Sequence, residues 1–285
     1  MRTDLLLSTM PMRRQERWGS HNTVLYNLGV GIGLLASQRS TLLPYVLEEK
    51  VHSFPTMATV MGRDMSLWEQ PDLGFDFSQI VHGEEILEVM APVPPDGEIS
   101  ITEWVDDISD RGAGKPATAS TVREIRSSQD NQLFARCRSI LVIRGAGGFG
   151  GPKPPPADII AIPDRIPDGS LSALISIDQA LLYRLSGDRN LLHVEPDHAA
   201  AAGFPKPILM GLCSFGIAVR MLSLEAGLFE PDRLAGMRTR FTGAVFPGDM
   251  LQVDYWHESR SEIRFRAYAQ GRPAPLLDGG QIKLR

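Results

Sequence analysis

The pattern of apolar and polar positions divides the chain into a helical opening, a run of strands, a glycine- and proline-rich break, and a second passage in which an apolar helix precedes further strands. Thr23 to Leu28 is helix-like and stops at Gly29-Val30-Gly31-Ile32-Gly33, whose glycines lower helical propensity. Phe54 to Met65 is apolar without a decisive period and reads equally as a buried helix or a buried strand. Ile80 to Met90 and Glu98 to Ile108 alternate or are rich in β-branched residues, with Pro92, Pro94, Pro95 and an Asp96-Gly97 turn between them. Ala117 to Arg126 and Gln132 to Arg144 continue in the same manner, so this half predicts successive antiparallel strands. Arg13 to Ser20 reads only as a polar, basic segment.

Gly145 to Pro156, GAGGFGGPKPPP, is the sharpest change of composition and predicts a turn followed by an extended linker. It sets the boundary between residues 1–150 and 151–285. Beyond it, Gly211 to Gly227 is apolar on nearly every side apart from Arg220 and Glu225, as expected of a helix in the middle of a protein. Met237 to Ala244, Met250 to His257, Glu262 to Gln270 and Gly280 to Leu284 follow as strands, which suggests a curved antiparallel sheet wrapped around that helix. The second half also echoes the first: Val24-Leu25-Tyr26-Asn27-Leu28 aligns with Leu181-Leu182-Tyr183-Arg184-Leu185, Tyr26 against Tyr183. In that register Asp188 falls opposite Gly31 and His193 opposite Ala36, so the polar pair belongs to the second half alone.

With 43% hydrophobic and 22% charged residues, the composition is that of a soluble globular protein. A formal net charge of -5 points away from nucleic acid and from membrane surfaces. Cys137 and Cys213 lack metal or redox spacing, so a reducing cytoplasm is the expected home. Met1 to Leu7 is too short and too acidic for a signal peptide, and no apolar run approaches the roughly 18 residues of a membrane span.

Candidate chemistry concentrates between Tyr183 and Gly216. Asp188 and His193, five positions apart, would sit about 140° apart on a regular helix, so they meet only if the helix ends between them. Gly187 and Asn190 are good helix-exit residues and Pro196 cannot occupy a helix interior, which puts the pair on a loop at a helix end. His193, Glu195, Asp197 and His198 lack a zinc spacing, and Cys213 on a buried helix reads as packing rather than as a nucleophile. Neither glycine-rich stretch suits a phosphate: Gly29 to Gly33 follows a helix rather than a strand, and Gly145 to Gly151 lacks a following Lys-Ser/Thr and a helix start.

The run Tyr183 to Asn190, then Leu192-His193, Pro196, Ala202-Gly203-Phe204 and Pro207-Ile208-Leu209 through Gly211-Leu212-Cys213, resembles the hydratase 2 motif of the MaoC-like (R)-specific enoyl-CoA hydratases. His82-Gly83-Glu84 and the Gly145 to Gly151 linker are similar to the two-hot-dog form of that family. The resemblance implies an α+β double hot-dog, two antiparallel sheets each wrapped around a central helix, with the catalytic pair in the C-terminal half only. It implies that Asp188 and His193 hold and activate one water, that the Gly211 amide receives the thioester oxygen, and that Asn190 helps hold the loop and the substrate. Arg184 and Lys206, ordinary surface charges otherwise, become candidates for the coenzyme A phosphates. Phe54, Trp68, Phe75 and Phe77 become candidates for an acyl pocket, with core packing as the commoner reading. The implied substrate is an acyl-CoA, with no metal or redox cofactor, and homodimerisation is left open. Leu191, Glu195 and Met210 depart from the motif, where proline, aspartate and histidine are usual; Met210 removes a polar side chain beside the loop. Thioester hydrolysis and non-catalytic acyl-thioester binding are the competing activities.

Overall fold

The two halves of the chain build the same five-strand pattern and join it edge to edge. A computed structural model describes residues 1–33, 40–156, 158–227, 229–230 and 232–285, which leaves Ala36 and its register opposite His193 outside the described residues. The first half contributes β1 (Met12–Trp18), β2 (Ile80–Val89), β3 (Gly97–Asp110), β4 (Ala117–Ser127) and β5 (Leu133–Ile143). The second contributes β6 (Gly169–Leu174), β7 (Leu234–Phe241), β8 (Met250–Ser259), β9 (Glu262–Ala269) and β10 (Leu277–Leu284). The spatial order β1-β3-β4-β5-β2-β7-β10-β9-β8-β6 reads the same from either end, each strand of one half having its counterpart in the other. All pairings are antiparallel, and β2 meets β7 at the seam, with Glu84 opposite Arg240 and Glu88 opposite Gly236. This is the double hot-dog.

Among the described residues, five α-helices accompany the sheet: α1 (Thr3–Ser8), α2 (Ser20–Gly29), α3 (Gln179–Tyr183), α4 (Pro196–Ala201) and α5 (Gly211–Glu225). The 15-residue α5 is buried from Leu212 through Ser223, as its all-round apolar sequence requires. α2 and α3 are the counterparts marked by the repeat, and they pack on one another: the Tyr26 and Tyr183 rings lie 5.8 Å apart. A β-carbon on Gly29 would meet the Tyr183 ring at 3.3 Å, so a glycine permits that approach. Phe54 to Met65 contains a buried 3-10 turn, Pro55–Thr59. The ambiguous apolar segment is therefore neither of the two regular elements considered for it.

Two strands escape the pattern because they are the sheet's outer edges. The basic segment from Arg13 belongs largely to β1, two of whose arginines pair with β3: Arg14 donates to Glu103 at 2.8 Å and Arg17 to Glu98 at 2.6 Å. β6, GSLSAL, alternates half-buried and exposed residues with none fully buried, and its sequence is too weakly apolar to show that alternation. The glycine-rich segment is likewise more than a turn and linker. The Asp110 carboxylate accepts from the amides of Gly112 and Gly148 at 2.7 Å and of Gly150 at 2.8 Å, while the Asp110 amide donates to the Pro152 carbonyl at 2.6 Å. An internal carboxylate thus takes the amides that a phosphate loop would offer.

The Gly148 and Gly112 amides hold the Asp110 carboxyl below the usual carboxylate range. A depressed folded-state value contributes stability above the unfolded value of about 3.9 and loses it as pH falls through the folded one. Asp110→Asn is expected to lower the Tm at pH 7 and to lower it less at pH 3. An equal Tm difference at both pH values would contradict this role.

Candidate active site

Gly187, with φ +133°, turns the chain out of the 3-10 segment Arg184–Ser186 that continues α3, a conformation side chains rarely adopt. Asp188 follows, half-buried, and its Oδ1 accepts from the Asn190 amide at 3.3 Å. Asn190 does not end a helix. It begins the 3-10 turn Leu191–His193, where its Oδ1 accepts from the Leu192 amide at 3.0 Å. Asn190 itself is exposed, so its visible work is to hold the loop.

His193 is buried, 9% exposed, and its Nδ1 lies 2.9 Å from the Ile208 carbonyl. A carbonyl only accepts, so Nδ1 carries the proton and the neutral ring keeps Nε2 as its lone-pair nitrogen. That bond also ties the ring to the extended segment leading into α5. Leu209 secures the same segment by donating to the Val245 carbonyl at 2.8 Å. Pro196 occupies the first turn of α4, where its missing N–H costs nothing.

α5 begins at Gly211, and a β-carbon there would sit 2.9 Å from Cδ1 of Phe241. The residue before it, Met210, is 1% exposed and offers no side-chain cap, so the first amides of α5 point out of the helix without an intrahelical or capping partner. Two residues further, the Cys213 thiol donates to the Gly29 carbonyl at 3.4 Å. Burial pushes that thiol well above its ordinary range, and the Asp188 charge adds to the shift. The thiol stays protonated, which removes Cys213 as a nucleophile. Tyr183 is also pushed well up, first by burial and then by Tyr26, Cys213 and Asp188; its hydroxyl is buried without a partner among the described residues. His193 is bonded to the carbonyl three residues ahead of Gly211, which joins the loop to the start of α5.

Of the remaining candidates, Arg184 is half-buried with its Nε unpartnered among the described residues, and exposed Lys206 places Nζ 5.1 Å from the Phe246 ring centroid. Among the described residues, no three His, Cys, Asp or Glu side chains converge as metal ligands. Phe54 stacks on Phe229 at 5.3 Å, and Trp68 packs near Phe75 at 6.4 Å in a second core. A cavity of about 190 Å³ beside Gly187 is lined instead by Trp18, Tyr26, Met57, Val60, Met61 and Leu185, among others. These residues come from four separate segments, and no periodicity joins them. A larger groove of about 360 Å³, lined by Leu7, Ile108 and Phe149 among others, shares no residue with this cavity.

Residues 17–145 match the MFE-2 hydratase 2 N-terminal domain, and residues 159–272 match the MaoC-like domain. The 3-hydroxyacyl-thioester dehydratase Y of Mycobacterium tuberculosis is 34% identical over 271 residues, covering 93% of this chain and 92% of that protein. Enoyl-CoA hydratase ChsH3 of the same organism is 34% identical with the same coverage of each chain. The crystal structure of a MaoC-like dehydratase from Phytophthora capsici superposes with a TM-score of 0.85 at 28% identity, over 99% of this chain and 97% of its own. Matches to both halves, identity along nearly the full length and the shared ten-stranded fold agree that the chain belongs to the MaoC-like hydratase 2 family of enoyl-CoA hydratases.

Proposed function

We propose that the protein catalyses the reversible syn hydration of a trans-2-enoyl-CoA to an (R)-3-hydroxyacyl-CoA, at one site per chain built from Asp188, His193 and the Gly211 amide. The observation that carries this reading is the imidazole of His193, locked through Nδ1 to the Ile208 carbonyl beside the uncapped start of α5. Residues 151–285 form the catalytic unit in this reading, and residues 1–150 form the scaffold and acyl side.

Water oxygen bonds to C3 while a proton is delivered to C2, so the site has to remove one proton and supply one. Asp188 and His193 act on the same water as a coupled pair and are not divided into acid and base. As C3 is attacked, charge builds on the thioester oxygen, and a donor at a helix N-terminus stabilises it. The Gly211 N–H supplies that donor, and the apolar Met210 leaves it free of side-chain competition. The reaction transfers no electrons to or from the protein and needs no metal. The acyl chain lies in the cavity bounded by Trp18, Tyr26, Met57 and Met61. Asn190 steadies the loop, and Arg184 and Lys206 face the coenzyme A end.

Asp188→Asn and His193→Gln are each expected to lower kcat by about 10²- to 10⁴-fold, followed by loss of the conjugated-thioester absorbance. The double variant is expected to lose little more than either single one, because the pair acts as a unit. An (S) product, free thiol release, or activity unchanged by both substitutions would contradict the reading. Gly211→Ala is expected to cost about 1–3 kcal/mol of stability through the Phe241 ring. A denaturation midpoint no lower than the parent's would show that the ring yields freely.

A further inference from the structure

The seam strand β2 carries a pair, half-buried His82 and buried Glu85, that the reaction as described does not use. β2 is bulged against β5: His82 opposes Leu141 and Glu84 opposes Ile140, with Gly83 the extra residue. A β-carbon on Gly83 would meet Val142 at 3.0 Å and the Ile140 carbonyl at 3.2 Å, so the bulge is built on a glycine. Bulges re-aim neighbouring side chains. Here the result is that His82 Nε2 lies 3.0 Å from Oε2 of Glu85 and 3.0 Å from the Glu84 carbonyl. Both are acceptors, so Nε2 is the donor.

Glu85 is fully buried. Its Oε2 also accepts from the Ser139 hydroxyl at 2.6 Å, and its Oε1 has no partner among the described residues. A buried carboxylate with one oxygen unpaired costs folding free energy, the kind of cost that gathers around functional sites. The imidazole it holds packs against Phe241, ring centroids 4.7 Å apart and tilted by 51°. Phe241 is the ring that a β-carbon on Gly211 would strike. A continuous line of contact therefore runs from Ser139 and Glu85 through His82 and Phe241 to the first residue of α5.

We propose that the His82–Glu85 pair of the first half is a positioning device for the Gly211 amide, acting through the Phe241 ring. The inference rests on Gly211 as the donor to the thioester oxygen. The carboxylate fixes the tilt of the imidazole, the imidazole fixes the phenyl ring, and the ring sets where the first amide of α5 points. A misplacement of about 1 Å in such a group costs on the order of 10²-fold in rate. His82 and Glu85 are positioning residues, since neither touches the reacting atoms in this arrangement.

The decisive variant is His82→Phe, which keeps a ring against Phe241 and removes the bond to Glu85. Its kcat is expected to fall on the order of 10- to 100-fold with KM changed less than about threefold, as for an interaction realised in the transition state. Glu85→Gln can still accept from His82 and is expected to retain most of the rate; Glu85→Leu is not. The spectroscopic readout uses Asp188→Asn protein with 2,4-hexadienoyl-CoA, whose absorbance moves to longer wavelength when its carbonyl is polarised. Adding His82→Phe is expected to reduce that shift, with the Tm held within a few degrees. If the shift is present and His82→Phe leaves it and kcat intact, or alters KM alone, the inference is overturned while the hydratase reading stands. If Asp188→Asn protein shows no shift at all, Gly211 is not the donor and both fall.

Discussion

The helix Gly211–Glu225 is buried along Leu212 to Ser223 and has no face to give to solvent, so sheet and helices have to close around it. Its enclosure delivers the N-terminal amides of α5 to the interior, where no side chain caps them. An uncapped helix start in a low-dielectric interior is a standing site for a partial negative charge. The rest of the proposed chemistry is arranged around it. His193 is tied to the segment that leads into the helix, the Asp188 charge is felt at Cys213, and Phe241 bears on Gly211 itself.

The two halves share their strand order and differ in what fills it. Among the described residues the second half has the long helix Gly211–Glu225, while the first half has the buried 3-10 turn Pro55–Thr59. A shorter element with two methionines nearby leaves an irregular, adaptable wall, and Met57, Val60 and Met61 line the cavity beside Gly187. The halves are held in register by the β2–β7 seam and by Arg238, which bridges Glu84 across it and donates to Asp158 at 2.6 Å. Among the described residues the two halves thus share a strand order and differ in the element beside it, with the cavity bordered by the 3-10 turn of the first half.

Much of this was legible in the sequence where a local rule governs it. The all-round apolar run after Gly211 could only be a buried helix, and the glycine at 187 with Pro196 beyond it forced Asp188 and His193 onto a loop. The alternating inner strands were visible for the same reason. The edge strands were not, because Arg14 and Arg17 are stabilised by carboxylates more than 80 positions away in sequence, which no local window contains. Nor could the Asp110 clamp on Gly148 and Gly150 be read, since it turns an apparent linker into an anchored crossing. The cavity wall, assembled from Trp18, Tyr26, Met57 and Leu185, exists only once the two halves meet. The role of Asn190 was half legible: its cap favours the loop, but it starts a turn rather than ending one.

In the proposed reaction the thioester oxygen sits on the first amide of α5 while Asp188 and His193 flank the water at C3. A crystal structure of Asp188→Asn protein with a bound trans-2-enoyl-CoA tests it most directly. The account predicts the thioester oxygen about 2.7–3.1 Å from the Gly211 nitrogen, with C3 facing His193 Nε2 and the residue-188 side chain. A thioester oxygen directed away from Gly211, or an acyl chain lying outside the cavity beside Gly187, would contradict it.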